Sequence, residues 1–211
     1  MGSRQILWAW YAALLVAAIA TFVCIRWVDY PVAAKFLHVS KEVGLIGKIF
    51  GGRVIVAGEL LVIAVLALAR IRIGNLPSIA KVLFVACSTS VLAYTLNDLV
   101  LKIVFGRQSP TAYYESHLDG TFHLFRGDDF SSFPSGHMIL AAAFLGVFSR
   151  IYPRARTASL FLLLLGAILL VVGDWHFVSD VISGTFLGFL VGLIAGEMWV
   201  SRTRTASEIL G

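Results

Sequence analysis

Apolar positions along the chain gather into six runs, roughly 6–25, 54–69, 82–101, 138–148, 159–173 and 181–200, with polar connections between them. A helix that crosses the hydrocarbon of a bilayer uses about 20 such residues. The fourth run is short, and reaches that length only if its helix starts near Ser135. Pro31, Pro77, Pro110, Pro134 and Pro153 all stand between runs, as residues that break helices should. Trp8, Trp10, Trp27, Trp175 and Trp199 lie near run ends, where an interfacial aromatic belt would be. The pattern predicts an all-α fold: a six-transmembrane-helix bundle forming a single polytopic membrane domain over residues 1–211. Residues 33–50 mix apolar and basic positions at roughly helical spacing and predict an interfacial helix. The connection 106–134 predicts a long outer loop, read as a lid with aromatics at the interface.

Composition sharpens this. Apolar types make up 59% of the chain and charged types 14%, against about 25% charged residues in a soluble domain. That balance excludes an ordinary soluble enzyme and a disordered chain alike. The excess of 17 Lys and Arg over 12 Asp and Glu would point to nucleic acid in a soluble protein. Here it follows the positive-inside rule, and no nucleic-acid partner is expected. Arg4, then Arg70, Arg72 and Lys81, then Arg150, Arg154 and Arg156, then Arg202 and Arg204 share one side if six helices alternate. That side is cytoplasmic and holds both termini, while connections 26–53, 106–134 and 174–180 face outward. The expected location is a bacterial inner (plasma) membrane. Ala18-Ile19-Ala20 imitates a signal-peptide cleavage site, but apolar residues continue past it, so the first helix is expected to remain uncleaved. Cys24 and Cys87 lie inside apolar stretches and read as small buried hydrophobes.

Three polar clusters interrupt the apolar background, and the topology brings all three to the outer face. The first runs from Lys102 through Arg107 to Ser109-Pro110. The second is Pro134-Ser135-Gly136-His137, a helix start with Ser135 as N-cap and Gly136 allowing close approach. Unpaired amides and the helix dipole there favour a phosphate-like anion. The third is His176-Phe-Val-Ser-Asp180, whose four-residue spacing sets the carboxylate beside the imidazole on one helix face. The carboxylate can hold one ring nitrogen protonated and leave the other free to attack. Gly184, Gly188, Gly192 and Gly196 continue that ridge and predict close packing against another helix. Asp98 precedes Lys102 by four and is expected to pair with it; Asn97 is expected to bond between helices. Glu59 and Glu197 read as structural partners. His117, Asp119 and His123 match no strong ligand pattern, so no metal is expected.

These clusters resemble the type 2 phosphatidic acid phosphatase (PAP2) superfamily, which also includes vanadium haloperoxidases. The family pattern is Lys, six residues, Arg-Pro; then Pro-Ser-Gly-His; then Ser-Arg, five residues, His, three residues, Asp. Residues 134–137 match in full, Lys102 and Pro110 match the first part, and His176 and Asp180 match the end of the third; the motif-bearing region spans 98–184. Two of the three motifs depart. Ser109 stands where the first motif has Arg, with Arg107 read as the retained member of a Gly-Arg-x-Arg-Pro form; Leu169 and Leu170 stand where the third has Ser-Arg. The resemblance implies a metal-independent, cofactor-free lipid phosphatase. His176 would be the nucleophile forming a phosphohistidine, Asp180 its orienting partner, and His137 the general acid and base. Lys102, Arg107, Ser135 and Gly136 would bind the phosphate, with Arg126 and Asp98 as accessory residues, and the substrate would be a lipid phosphate within the membrane. The sphingomyelin synthase branch is similar to a site without the Ser-Arg pair, which implies head-group phosphotransfer as an alternative. A non-catalytic protein binding anionic lipid through a degenerate site is the third reading.

Overall fold

The computed structural model describes residues 3–37, 51–116, 122–127 and 130–210. It is all-helical, with no strand among the described residues. Helix α1 (Ser3–Val23) passes through a widened π-helical turn (Cys24–Val28) into α2 (Asp29–Phe36). The expectation that Pro31 ends the first helix is therefore corrected. Pro31 has no N–H for the carbonyl of Trp27, four residues back, and its ring crowds that carbonyl. The wide turn includes Trp27, where a π-bulge accommodates both effects. Helix α3 (Gly52–Ile73) stops at Gly74, whose φ of +85° glycine adopts without strain. Helix α4 (Ser78–Leu96), a second π-helical turn (Asn97–Leu101) and α5 (Lys102–Phe105) form another continuous rod. Gly106 ends it at φ +53°, where a Cβ would also lie 1.9 Å from the His123 carbonyl oxygen. Then come α6 (Pro110–Ser116), α7 (Gly136–Ile151), α8 (Arg156–Val172) and α9 (Val178–Leu210).

Five stretches are helical, long and apolar enough to cross a membrane: Trp8–Phe36, Gly52–Ile73, Ser78–Phe105, Pro153–Val172 and Val178–Thr203. Their outer faces present side chains such as Leu61, Ile71 and Phe161 to the surroundings, as a lipid-facing surface would. Helix α7, expected as a sixth span, has 16 residues, about 24 Å at 1.5 Å per residue, against a hydrocarbon core of about 30 Å. It is the most enclosed helix, burying Met138, Ile139, Leu140, Ala142, Ala143 and Val147. Of the expected interfacial helix, residues 33–36 belong to α2, and 38–50 lie outside the described residues, as do His117, Asp119, Asp128 and Asp129.

The glycine ridge of α9 packs against α7. A Cβ added at Gly184, Gly188 or Gly192 would lie 2.5, 2.6 or 2.2 Å from the carbonyl oxygens of Ser135, Ile139 and Ala143. At Gly196 it would lie 2.7 Å from Cβ of Arg150. The two backbones thus approach as closely as small residues allow. That contact fixes the start of α7 beside the start of α9, and the amide of Ser135 donates to the carbonyl of Asp180 at 3.0 Å.

Candidate active site

Ser135 caps α7 through its hydroxyl oxygen, which accepts from the Met138 amide at 3.4 Å. Gly136 follows, in the first turn, whose amides have no partners within the helix. A Cβ at Gly136 would lie 2.9 Å from the Tyr94 ring and 3.5 Å from Lys102 Nζ. The Lys102 ammonium therefore sits at the positive end of α7, a pairing that an anion between them would relieve. It also binds Asp98 Oδ1 at 2.8 Å, the expected pair one helical turn apart, and lies 5.6 Å from the Tyr94 ring centroid. Asn97 Nδ2 donates to the carbonyl of Pro134 at 3.3 Å, tying the first cluster to the second.

The third cluster meets the second across a cavity of about 390 Å³ lined by Lys102, Gly136, His137 and His176. Gly52, Tyr94, Ser109, Ser131, Ser132 and Trp175 also face it. The rings of His137 and His176 are 5.7 Å apart, centroid to centroid. His176 is 8% exposed, and its Nδ1 lies 3.5 Å from Asp180 Oδ2 and 3.2 Å from Ser132 Oγ. Asp180 is fully buried, and its Oδ2 also accepts from Ser132 Oγ at 2.6 Å and from the Phe177 amide at 3.0 Å. Its Oδ1 accepts from Arg107 Nη1 at 2.7 Å. A larger groove of about 610 Å³ between α1, α8 and α9 has no titratable side chain in its lining, so it offers no chemistry.

Lys102, Gly136, His137 and His176 thus come together as expected from the sequence, with Ser135 and Asp180 buried directly behind them. Arg107, expected at the phosphate, is elsewhere. It is 0% exposed and does not line the cavity. Its guanidinium is taken up by Asp29, Asp180 and Ser179 and covered by the rings of Phe177 and Phe122, at 4.1 and 5.0 Å. Burial opposes the charge on Arg107, but Asp180 and Asp29 outweigh it and raise its pKa above that of an ordinary arginine. Arg126 is exposed, lies 4.8 Å from the Phe130 ring centroid, and does not line the cavity either. Arg150 pairs with Glu197 at the far end of α7.

Asp29, Ser132 and Ser179 are missed by the sequence reading. For Asp29 a signal exists. It is the one acidic residue of Trp8–Phe36, and a charge within an apolar span marks a functional position until another reason is found. Ending the first run at residue 25 hid it in a loop. Ser132 and Ser179 carry no local signal.

The model of the PAP2 superfamily, a family whose members are generally phosphatases acting on phosphate esters, matches residues 79–204. None of the curated proteins and none of the solved structures compared with the chain matches it.

Proposed function

The chain belongs to the PAP2 superfamily, and on that premise we propose that it is a membrane lipid phosphatase hydrolysing a phosphomonoester or pyrophosphate. The observation that carries this is the facing pair of histidines at one polar cavity, with Nδ1 of His176 backed by Asp180 and Ser132. With Nδ1 directed at these partners, Nε2 of His176 is the nitrogen that attacks phosphorus. A P–N bond forms as the P–O bond to the lipid breaks, and His137 gives its proton to the departing oxygen. His137 then takes a proton from water, whose oxygen displaces His176 and releases inorganic phosphate. Lys102 and the Gly136 amide hold the non-bridging oxygens where charge develops, the contribution that is usually largest. Arg107 acts from behind Asp180 rather than on the phosphate.

In this reading α7 completes six crossings, sheltered by α4, α8 and α9, and the positive-inside rule sets the cavity at the outer face of a bacterial inner membrane. No metal or cofactor takes part. The test is phosphate release by purified protein from phosphatidic acid, phosphatidylglycerol phosphate, a polyprenyl pyrophosphate and lipid A. Release should persist in excess chelator and fall with vanadate. An acid-labile, base-stable label should be trapped on the parent but not on His176→Ala. Release unaffected by His176→Ala in folded protein would overturn the mechanism.

Ser109, Leu169 and Leu170, standing where the family carries Arg, Ser and Arg, favour a second reading, transfer of the phosphoryl head group to an acceptor alcohol. Adding such an alcohol would then lower phosphate release and yield a new phospholipid.

A further inference from the structure

Asp29 lies on the first rod, outside residues 79–204 that match the family, yet reaches the heart of the site. It is 1% exposed. Its Oδ1 accepts the Ser179 amide at 3.0 Å, and its Oδ2 accepts Ser179 Oγ at 2.5 Å and Arg107 Nη2 at 2.8 Å. Ser179 Oγ in turn accepts from Arg107 Nη1 at 2.7 Å. The wide turn at Cys24–Val28 ends immediately before Asp29.

The geometry matters because of what a guanidinium does when unrestrained. It prefers to fork onto one carboxylate with two parallel hydrogen bonds. Here it does not: Nη1 goes to Oδ1 of Asp180 and Nη2 to Asp29. Oδ2 of Asp180 is thereby left to Ser132, the Phe177 amide and His176. With its faces covered by Phe122 and Phe177, Arg107 has only its edge to offer, and the carboxylates compete for it. Without the Asp29 charge the buried guanidinium keeps only one of its two counterions, a costly state. The nearest relief is a fork onto both oxygens of Asp180, which draws Oδ2 away from His176.

We propose that Asp29 is a positioning residue for catalysis: by holding Arg107 as a bridge rather than a fork, it keeps Oδ2 of Asp180 on His176. The proposal rests on the phosphatase reading above. It also makes the first membrane rod a contributor to the active site.

The test is steady-state kinetics on a responsive lipid phosphate in detergent, with folding checked by thermal melting. Asp29→Asn should lower kcat by about 10- to 100-fold, the range for residues that orient a functional ligand from behind, while KM stays within about twofold because no phosphate contact is lost. In an Arg107→Gln background the same change should cost less than about twofold, since the interaction it works through is gone. Ser179→Ala, a milder cut in the same network, should lower kcat in the same sense and keeps the test open if Asp29→Asn does not fold. Parental kcat in folded Asp29→Asn, or a full additional loss in the Arg107→Gln background, would overturn the proposal while leaving the phosphatase reading intact. Parental kcat in Ser179→Ala would overturn it if Asp29→Asn cannot be made. A parent that releases no phosphate from any of the four lipids would overturn the phosphatase reading, and the role of Asp29 with it.

Discussion

Replacing Asp180 by Asn tests the centre of the site with almost no change of shape. The carboxylate accepts on both sides: Arg107 Nη1 at Oδ1, and Ser132 Oγ, the Phe177 amide and His176 Nδ1 at Oδ2. An amide keeps one acceptor and turns the other into a donor, so one side must be mismatched. Facing its NH₂ to Arg107 would set a donor against a buried cation, the more costly choice. The amide oxygen therefore turns to Arg107 and the NH₂ to His176. Nδ1 must then accept, the ring proton moves to Nε2, and the nitrogen proposed to attack phosphorus is blocked. Loss of an orienting carboxylate by this route lowers kcat about 10⁴-fold in a serine protease, which corresponds to about 5.4 kcal/mol. The same fall is expected here, with KM little changed. The buried ion pair with Arg107 is also weakened, so the melting temperature should drop, and kinetics should be run well below it. The assay is single-turnover phosphate release together with trapping of the proposed phosphohistidine. More than about a tenth of parental kcat in folded Asp180→Asn would refute the tautomer argument.

Three further outcomes are expected. Lys102→Met should lower kcat/KM by about 10²-fold, as loss of one oxyanion donor does, whereas Arg126→Ala should leave it nearly unchanged because Arg126 lies outside the cavity; equal losses would count against the assignment. Gly192→Ala places Cβ 2.2 Å from the Ala143 carbonyl oxygen and should lower stability by about 1–3 kcal/mol or more in a detergent melt, while Gly58→Ala, with nothing within 4 Å, should be neutral or stabilising. Asp174 is buried with neither carboxylate oxygen hydrogen-bonded among the described residues, and burial raises its pKa to about 6. Its folded pKa lies above the ordinary 3.8, so its contribution to stability is present below that value and is lost as pH rises through about 6. Asp174→Asn, which tolerates the local φ of +57°, should melt above the parent at pH 8 and level with it near pH 4; the reverse order would refute the reading.

Much of the site is written locally. The apolar runs determine an all-helical fold with helices long and apolar enough to cross a membrane, because backbone groups in a bilayer must be satisfied within the helix. The spacing of His176 and Asp180, of Asp98 and Lys102, and of the α9 glycines is the spacing of one helix face, so their alignment follows from 3.6 residues per turn. Ser135 before Gly136 announces a helix start through its own hydroxyl. The tertiary structure decided the rest. Pro31 sits inside a helix because a π-turn, braced by its surroundings, accommodates the missing N–H. The partners of Arg107 lie 78 and 73 residues away, and Ser179 reaches Asp29 across 150. No periodicity encodes such pairings. They exist because glycine-mediated packing of α9 on α7 and the packing of the first rod against α9 bring three chain-distant charges into one dry volume, where each can keep its charge only beside the others.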